Sequence, residues 1–589
     1  MGTDLLILFG SQTGNAQDVA ESVGRSAQLR QLTSTVVAMD AFDIARLHEQ
    51  VAVIFIASTT GQGETPDNMK QFWRFLLRKS LPTDALNGMQ HAVFGLGDSG
   101  YQQYNTVAKK LDRRLAALGS AALLERGLGD DQHFSGYDSA LFPWLEQLWA
   151  ALQDLWPHKD QSVLPGSEGQ LPTCKYSAAI LNFYDARAVL DTPRETHEQE
   201  VFAWTAFTRL EAIASGLAAP PKQFSGCGPG RPFMASVIAN RRITSPDHFQ
   251  DTRHIELDLA SSGIVYEPGD LLNILPRQNP EAVQRFLRRT GLDAQSVVRL
   301  AAAGAESADR VRQSVQVTVG SLVAGALDIH GACPKRFFFE ILAHFATEPH
   351  ETERLLYFAS SEGRDDLSQY NTREGRTVLE ALEDFPSAQV PLQWLLSIVP
   401  RIKPRQFSIA SSLRAHPHQA HITAAIVDYK TPHKRRKQGL CTGVAPFRAF
   451  LEERAALQAA GNVEIAPCHL YFGCRGANQD FYYKEQWQEY VSTGVLAADG
   501  GLVAAFSRQD GRKVYVTHRI REHAQQLFSL LTHKGASVYI SGSATRMPQD
   551  VIAALEDVVA QQGQIPQQEA KVFLKALQSS RRCVIEAWS

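Results

Sequence analysis

Cysteine is scarce in this chain: seven in 589 residues. Cys174, Cys227, Cys333, Cys441, Cys468, Cys474 and Cys583 are odd in number, widely spaced and contain no Cys-x-x-Cys pair. That spacing excludes a disulfide framework, a zinc ribbon and a protein-bound iron–sulfur cluster, so no metal site is expected. A reducing compartment follows, most simply the cytoplasm. Long apolar runs are also absent; none approaches the ~20 residues of a membrane span. The first strand starts by residue 5, so neither a signal peptide nor a membrane anchor is expected. An excess of positive charge is lacking too. The net charge is −3, which gives no reason to expect a nucleic-acid partner.

The charge is uneven. Residues 1–158 hold 12 Lys+Arg and 17 Asp+Glu, a net −5, which leaves +2 for the remainder. An acidic first domain can dock on a basic partner, within the chain or outside it, or can simply be a solvated acidic surface. The length suits about three or four domains.

The most informative stretch is Leu5-Leu6-Ile7-Leu8-Phe9-Gly10-Ser11-Gln12-Thr13-Gly14-Asn15-Ala16. A continuous apolar run reads as a strand buried on both faces, as in parallel sheets. It ends in a polar loop, and an amphipathic helix with Val19, Ala20 and Val23 on one face follows. Backbone N–H groups and the helix dipole at such a turn can hold a phosphate. The loop contains no Lys or Arg and lacks the Gly-Lys-Ser/Thr ending of a triphosphate loop. A flavin mononucleotide phosphate fits it better.

The pattern repeats. Residues 51–58 form a second apolar strand ending in Thr59-Thr60-Gly61-Gln62-Gly63-Glu64. Residues 91–97 form another, ending in Asp98-Ser99-Gly100-Tyr101, and 123–128 a fourth, ending in Gly129-Asp130-Asp131. In an open parallel sheet these loops gather at one rim, where ligands bind. The three loops resemble the flavodoxin-like domain of diflavin reductases. The resemblance implies that Ser11, Gln12, Thr13, Gly14, Asn15 and Ala16 hold an FMN phosphate. It extends the FMN site to Ser58, Thr59, Thr60 and Gly61, to Leu96, Gly97, Asp98, Ser99, Gly100, Tyr101, Gln102, Gln103, Tyr104 and Asn105, and to Asp131. Tyr101 stands at the flavin-stacking position, whereas Thr60 replaces a second Tyr found in some relatives.

Residues 157–172 are polar and aperiodic and read as a linker after a flavodoxin-like domain over 1–156. Residues 176–232 are weakly patterned and are expected to wrap the next domain. From Phe233 the period changes to that of antiparallel strands, over 234–243, 254–259 and 271–275, with a Tyr266-Glu267-Pro268-Gly269-Asp270 turn. Helical stretches follow at 280–293, 316–346 and 350–384, and strands return at 405–412 and 421–427. This resembles an FAD-binding antiparallel β-barrel (173–437) carrying an inserted helical domain (277–400), as in the ferredoxin–NADP reductase superfamily. Arg405 offers a fork to a pyrophosphate, Gln406 lies beside it, Phe407 can stack, and Ser408 can hydrogen-bond near the flavin atom that receives hydride.

The pattern breaks at Gly439-Leu440-Cys441-Thr442-Gly443-Val444-Ala445-Pro446-Phe447-Arg448. In the family, Gly-Leu-Cys opens a helix on the FAD pyrophosphate. The glycine-rich Ala-Pro-Phe-Arg loop comes tens of residues later, after the first strand of a Rossmann-like NADPH domain. Here the two motifs are fused. The domain over 438–589 is therefore expected to lack its first strand, which is central in a doubly wound sheet, and the neighbours of that strand are expected to keep unpaired backbone groups. After the break the resemblance resumes. Ser507, Arg508, Lys513, Val514, Tyr515, Val516 and Thr517 match a pocket for the NADPH 2′-phosphate, and two cations with two hydroxyls suit a dianion. Asp550 follows the next nucleotide turn, Glu586 stands where relatives carry an acid near the flavin, and Trp588 where an aromatic covers it.

The whole is an α/β multidomain chain resembling the NADPH-dependent diflavin oxidoreductase 1 family. That implies FMN, FAD and NADPH as cofactors, with hydride passing from NADPH to FAD and single electrons leaving from FMN. It also implies an anamorsin-type (Dre2-type) iron–sulfur protein as acceptor in cytosolic iron–sulfur cluster assembly. Two alternatives stand beside it: a truncated form that binds FMN and partner without catalysis, and a P450-reductase-like or methionine-synthase-reductase-like enzyme.

Overall fold

The structure, a computed structural model, describes residues 5–61, 63–101, 103–157, 171–182, 185–187, 195–214, 227–228, 232–303, 314–431, 436–441, 444–461, 465–509, 511–543 and 546–588. Most of the linker, Gln102, Thr442 and most of the Gly226–Arg231 stretch lie outside these residues.

The apolar runs become a parallel sheet. Its strands are β1 (Leu5–Gly10), β2 (Ser34–Ala38), β3 (Ala52–Ser58), β4 (Gln90–Gly97), β5 (Ala121–Ala122) and β6 (Gly127–Asp130). The order is β2-β1-β3-β4-β5, with β6 also paired to β4. Alternate residues of β1 serve opposite faces, as strand geometry requires. Leu5, Ile7 and Phe9 pack with the helices Asn15–Leu29 and Asp138–Leu155. Leu6 and Leu8 pack with Phe72, Leu111 and Leu115 from the other side. Burying each such side chain contributes about 1.5–3 kcal/mol. Two expectations change. Sequence reading missed β2, whose Ser-Thr start hides a short, half-buried edge strand. The single strand expected over 123–128 is two pieces. Trp144 donates to the Glu125 carbonyl between them, and at Gly127 a Cβ would lie 2.4 Å from Phe94.

Next come β7 (Tyr176–Ile180), the helix Thr196–Ala214, and the strands β8 (Val237–Arg242), β9 (Asp251–Asp258) and β10 (Leu271–Ile274). The inserted block begins with the helix Pro280–Thr290. It is not purely helical, because β11 (Val297–Ala302) pairs with both β12 (Val315–Thr318) and β7 in an antiparallel sheet. Residues 316–318 are thus strand where a helix was expected. Thr318 ends the strand and caps the helix Val319–Gly325 by accepting from the Ser321 N–H. The helix expected over 350–384 is likewise interrupted. Gly375 has φ +55, and a Thr377/Glu380 capping box starts a new helix. Tyr176, Phe207 and Leu210 sit in one core with Phe286, Phe338 and Leu395, so β7 and the helix Thr196–Ala214 belong with the inserted block rather than with the barrel strands.

The chain then returns through β13 (Arg405–Ser408), β14 (Gln419–Lys430) and β15 (Arg436–Cys441). β15-β14-β9-β8 form an antiparallel sheet, and β10 pairs β13, with an Ile409–Ile422 bridge between the two. Among the described residues this pairing does not run round a complete ring. Gly439, Leu440 and Cys441 lie extended opposite Val427, Ile426 and Ala425. The motif that opens a helix in the family is here the end of a strand.

The last domain contains β16 (Leu470–Cys474), β17 (Leu502–Phe506), β18 (Val538–Ser543) and β19 (Cys583–Trp588). They form two separate parallel pairs, β16-β17 and β18-β19. This is the split expected when a central strand is missing. In parallel pairing, successive residues direct their backbone groups to opposite sides. Leu470 N–H bonds Gly501 O on the β17 side, and Val538 N–H bonds Arg582 O on the β19 side. Tyr471, Gly473, Tyr539 and Ser541 therefore face away from the only strands that pair with them among the described residues. The helix Ala445–Ala459, which would follow the missing strand, persists. Val444 and Leu451 pack with Leu470 and Phe472, while Phe450 lies 5.4 Å from the Tyr539 ring. The chain divides into two compact units, residues 1–223 with 276–403 and 431–433, and residues 224–275 with 404–430 and 434–589.

Candidate functional site: one loop cradle and two cofactor strands

At the carboxyl rim of the first sheet, the loop after β1 is tied down by its own polar groups. Ser11 N–H donates to Asn68 Oδ1 at 2.8 Å, and Gly14 N–H donates to Ser11 Oγ at 3.0 Å. The Gln12 amide exchanges two bonds with Asp67. Gly14 has φ +104, which admits glycine readily. No side chain caps the helix that starts at Asn15, which leaves its first N–H groups without a side-chain acceptor. Beside it, Ser58 Oγ donates to Gly10 O, and Thr59 is held between Leu96 O and Val107 N–H. Thr60 closes its own loop on Glu64 through both N–H and hydroxyl, with Gly61 at φ +49.

The third loop completes the rim. Asp98 accepts from Gly100 N–H and from Gln132, and Ser99 N–H reaches Asp130. Tyr101 stays half-buried with its N–H on Asp98 O. Tyr104 is a brace, donating to Leu128 O, and Gln103 accepts from Thr106. Asn105 is fully buried with φ 53. It donates to Gly129 O, while its Oδ1 has no partner. Asp131 is tied by its N–H to Gly97 O, and burial, then Asp98, raise its carboxyl above the usual range.

On β13, Arg405 and Gln406 are exposed while Phe407 and Ser408 are buried. Among the described residues no carboxylate lies within 4.0 Å of Arg405. Ser408 Oγ donates to Glu586 across 178 residues of sequence. Tyr266 in the Pro-Gly turn donates to Gln419 O and meets Ser411 Oγ, and Gly269 has φ +102. Trp588 lies in β19 opposite Ser543.

In the last domain, Ser507 N–H and Oγ both go to Cys474 O, and Val514 N–H goes to Phe506 O. These bonds bring Ser507, Arg508, Lys513 and Tyr515 to one rim. Arg508 and Lys513 are exposed with no carboxylate within 4.0 Å among the described residues. Val516 and Thr517 start the helix Val516–Glu522, and Asp550 sits in the first turn of the helix Met547–Gly563.

The flavodoxin family matches residues 7–144, the FAD binding domain family 228–444, and the oxidoreductase NAD-binding domain family 441–552. Along the full length the chain is similar to an NADPH-dependent diflavin oxidoreductase 1 of Arabidopsis thaliana, 40% identical over 637 positions, covering 99% of each chain. One from Bos taurus is 40% identical over 629 positions, and one from Schizosaccharomyces pombe 30% over 636, with the same coverage. The chain belongs to the NADPH-dependent diflavin oxidoreductase family. It is a flavoprotein oxidoreductase whose cofactors are FMN, FAD and NADPH. The alignment to the Arabidopsis relative runs over 637 positions against 589 residues, so at least 48 positions of that relative stand opposite gaps in this chain. The FAD and NAD families overlap at 441–444, the place where the two motifs are fused.

The residues fit the diflavin cofactors at three places. The uncapped helix start with Gly14 suits the FMN phosphate, and the unpaired Asn105 Oδ1 marks a buried polar valence at the same rim. Arg405 suits the FAD pyrophosphate. The Ser507–Tyr515 rim suits a 2′-phosphate. When bound, nicotinamide supplies hydride, and two flavins in series divide it into single electrons. The chain's part is placement. Ser408 is held by Glu586 with its hydroxyl fixed, and Arg508 and Lys513 keep their charge unspent for an anion.

Sequence reading missed a buried network in the second unit. His254 Nδ1 lies 2.9 Å from Tyr483 Oη, and Tyr483 also meets Thr423 at 2.7 Å. Arg448 Nη1 lies 3.2 Å from His421 Nδ1, donates to Ala410 O, and pairs with Glu452 at 2.6 Å. Two clusters here, His254/Glu256/His421 and His416/His421/Glu452, have metal-ligand spacing. The Arg448 guanidinium already provides the cation in that space. Burial pushes both His254 and His421 down to about 3, with Arg448 and His416 adding to the shift. The signal for the network was Arg448 itself, the last residue of the Ala-Pro-Phe-Arg motif.

Proposed function

We propose that this diflavin oxidoreductase delivers electrons one at a time from its FMN domain to an anamorsin-type iron–sulfur protein, within cytosolic iron–sulfur cluster assembly. The observation carrying this reading is the end-to-end similarity to proteins named NADPH-dependent diflavin oxidoreductase 1, at 99% coverage of both chains. The net −5 on residues 1–158 supports docking of a basic acceptor surface on the FMN domain. No helix among the described residues is long and apolar enough to cross a membrane. The test is acceptor exchange. Purified chain, reduced by NADPH, should reduce an anamorsin-type protein faster than a cytochrome P450 or a methionine synthase. Equal rates on all three acceptors would remove the assignment.

One observation favours a second reading. The split of the nucleotide domain into two strand pairs suits a form that binds FMN and partner but turns over NADPH poorly. Counting FMN and FAD released per purified chain separates the readings. One of each supports the reductase, and FMN alone supports the binding form.

A further inference from the structure

The first loop contains no Lys or Arg, yet the structure brings two ammonium groups onto it, one from the inserted block and one from the segment that directly follows it. Lys403 Nζ donates to Thr13 O at 2.6 Å. Lys335 Nζ donates to Asn15 Oδ1 at 2.5 Å. A Cβ on Gly14 would lie 2.9 Å from Lys403 Nζ, so the glycine admits the lysine as well as the turn. Both lysines donate to uncharged oxygens. Neither has a carboxylate within 4.0 Å among the described residues. Asp18 and Asp131 act on Lys335 only at longer range, and Glu211 and Asp328 act likewise on Lys403.

Docking of the inserted block does not account for them. Arg336 already pairs with Asp138 at 2.5 Å, Lys175 with Glu21 at 2.6 Å, and Arg25 covers the Phe337 ring at 3.7 Å. Two cations with no carboxylate within 4.0 Å among the described residues, at a helix start that no side chain caps, form an anion site with its charge supplied by another part of the chain. We infer that Lys335 and Lys403 are ligands of the FMN phosphate, contributed by the inserted block and the segment directly after it, so that bound FMN joins that block to the flavodoxin domain. By linkage, whatever loosens the block weakens FMN, and FMN tightens the block.

The test uses the full chain, stripped of flavin and resupplied with FAD, titrated with FMN and with riboflavin, which lacks the phosphate. Lys335→Met and Lys403→Met should each raise the FMN Kd about tenfold and leave the riboflavin Kd unchanged. Lys335→Arg should recover most of the affinity, and Lys175→Met, which breaks a docking pair off the loop, should leave the ratio of the two Kd values unchanged. Equal weakening of FMN and riboflavin, or no change in FMN, overturns the inference. Should a methionine variant fail to fold, the unaltered chain gives the answer. Its FMN Kd should rise with salt between 50 mM and 500 mM while its riboflavin Kd stays level, about tenfold against none. A salt-independent FMN Kd overturns the inference too.

Discussion

The unpaired edges of the nucleotide domain make a residue-level prediction. Leu470, Phe472 and Cys474 face β17, and Val538, Ile540 and Gly542 face β19. Tyr471, Gly473, Tyr539 and Ser541 have no backbone acceptor among the described residues. A ladder amide in a domain core exchanges only on opening, which costs about 5 kcal/mol or more. At ~1.4 kcal/mol per tenfold, that is protection of several thousand-fold. An edge amide facing water keeps little, within about tenfold of a free peptide. Tyr539 is 52% exposed, so water reaches this edge. Hydrogen exchange read at single residues should therefore alternate along both strands, with a contrast of about a thousandfold between Phe472 and Tyr471 and between Ile540 and Tyr539. Inserting a segment that supplies the missing apolar strand between Cys441 and Thr442 should slow all four open amides. Equal protection of Tyr471 and Phe472 in the unaltered chain would refute the reasoning, because it would mean that something already fills the central position.

Three further outcomes are expected. Ser507→Ala combined with Arg508→Ala should raise the KM for NADPH about 10- to 100-fold, the value of one or two charge-assisted contacts, and that for NADH far less; equal changes would refute the 2′-phosphate assignment. His254 and His421 are held neutral, with folded values of about 3 against an ordinary 6.5. The unfolded chain binds more protons through that window, so stability is complete above pH 6.5 and falls as pH drops toward 3, by up to about 1.4 kcal/mol per pH unit for each histidine. The thermal midpoint should fall from pH 7.5 to 5.5 less steeply in His421→Gln than in the unaltered chain, and identical slopes would count against the network. Ser408→Ala should slow NADPH-driven flavin reduction by about 10- to 100-fold without loss of FAD, as read by stopped-flow absorbance; an unchanged rate would place Ser408 outside the chemistry.

The sequence by itself determined the strand–loop–helix grammar of the FMN domain, because a doubly buried strand must be an apolar run and its phosphate turn must be small and polar. Set beside the family it resembles, it also implied that a central strand is missing, since the fused motifs at 441 and 442 leave no apolar run to form it. Local pattern was a poorer guide where context decided. β12 reads as helix until pairing with β11 makes it strand. The tertiary structure alone decided which distant side chains meet. Ser408 finds Glu586, Arg448 enters between His421 and Glu452, and Lys335 and Lys403 reach a loop more than 300 residues earlier. Periodicity and propensity report on neighbours within a few turns, whereas these contacts arise only when separate hydrophobic faces have been buried against one another.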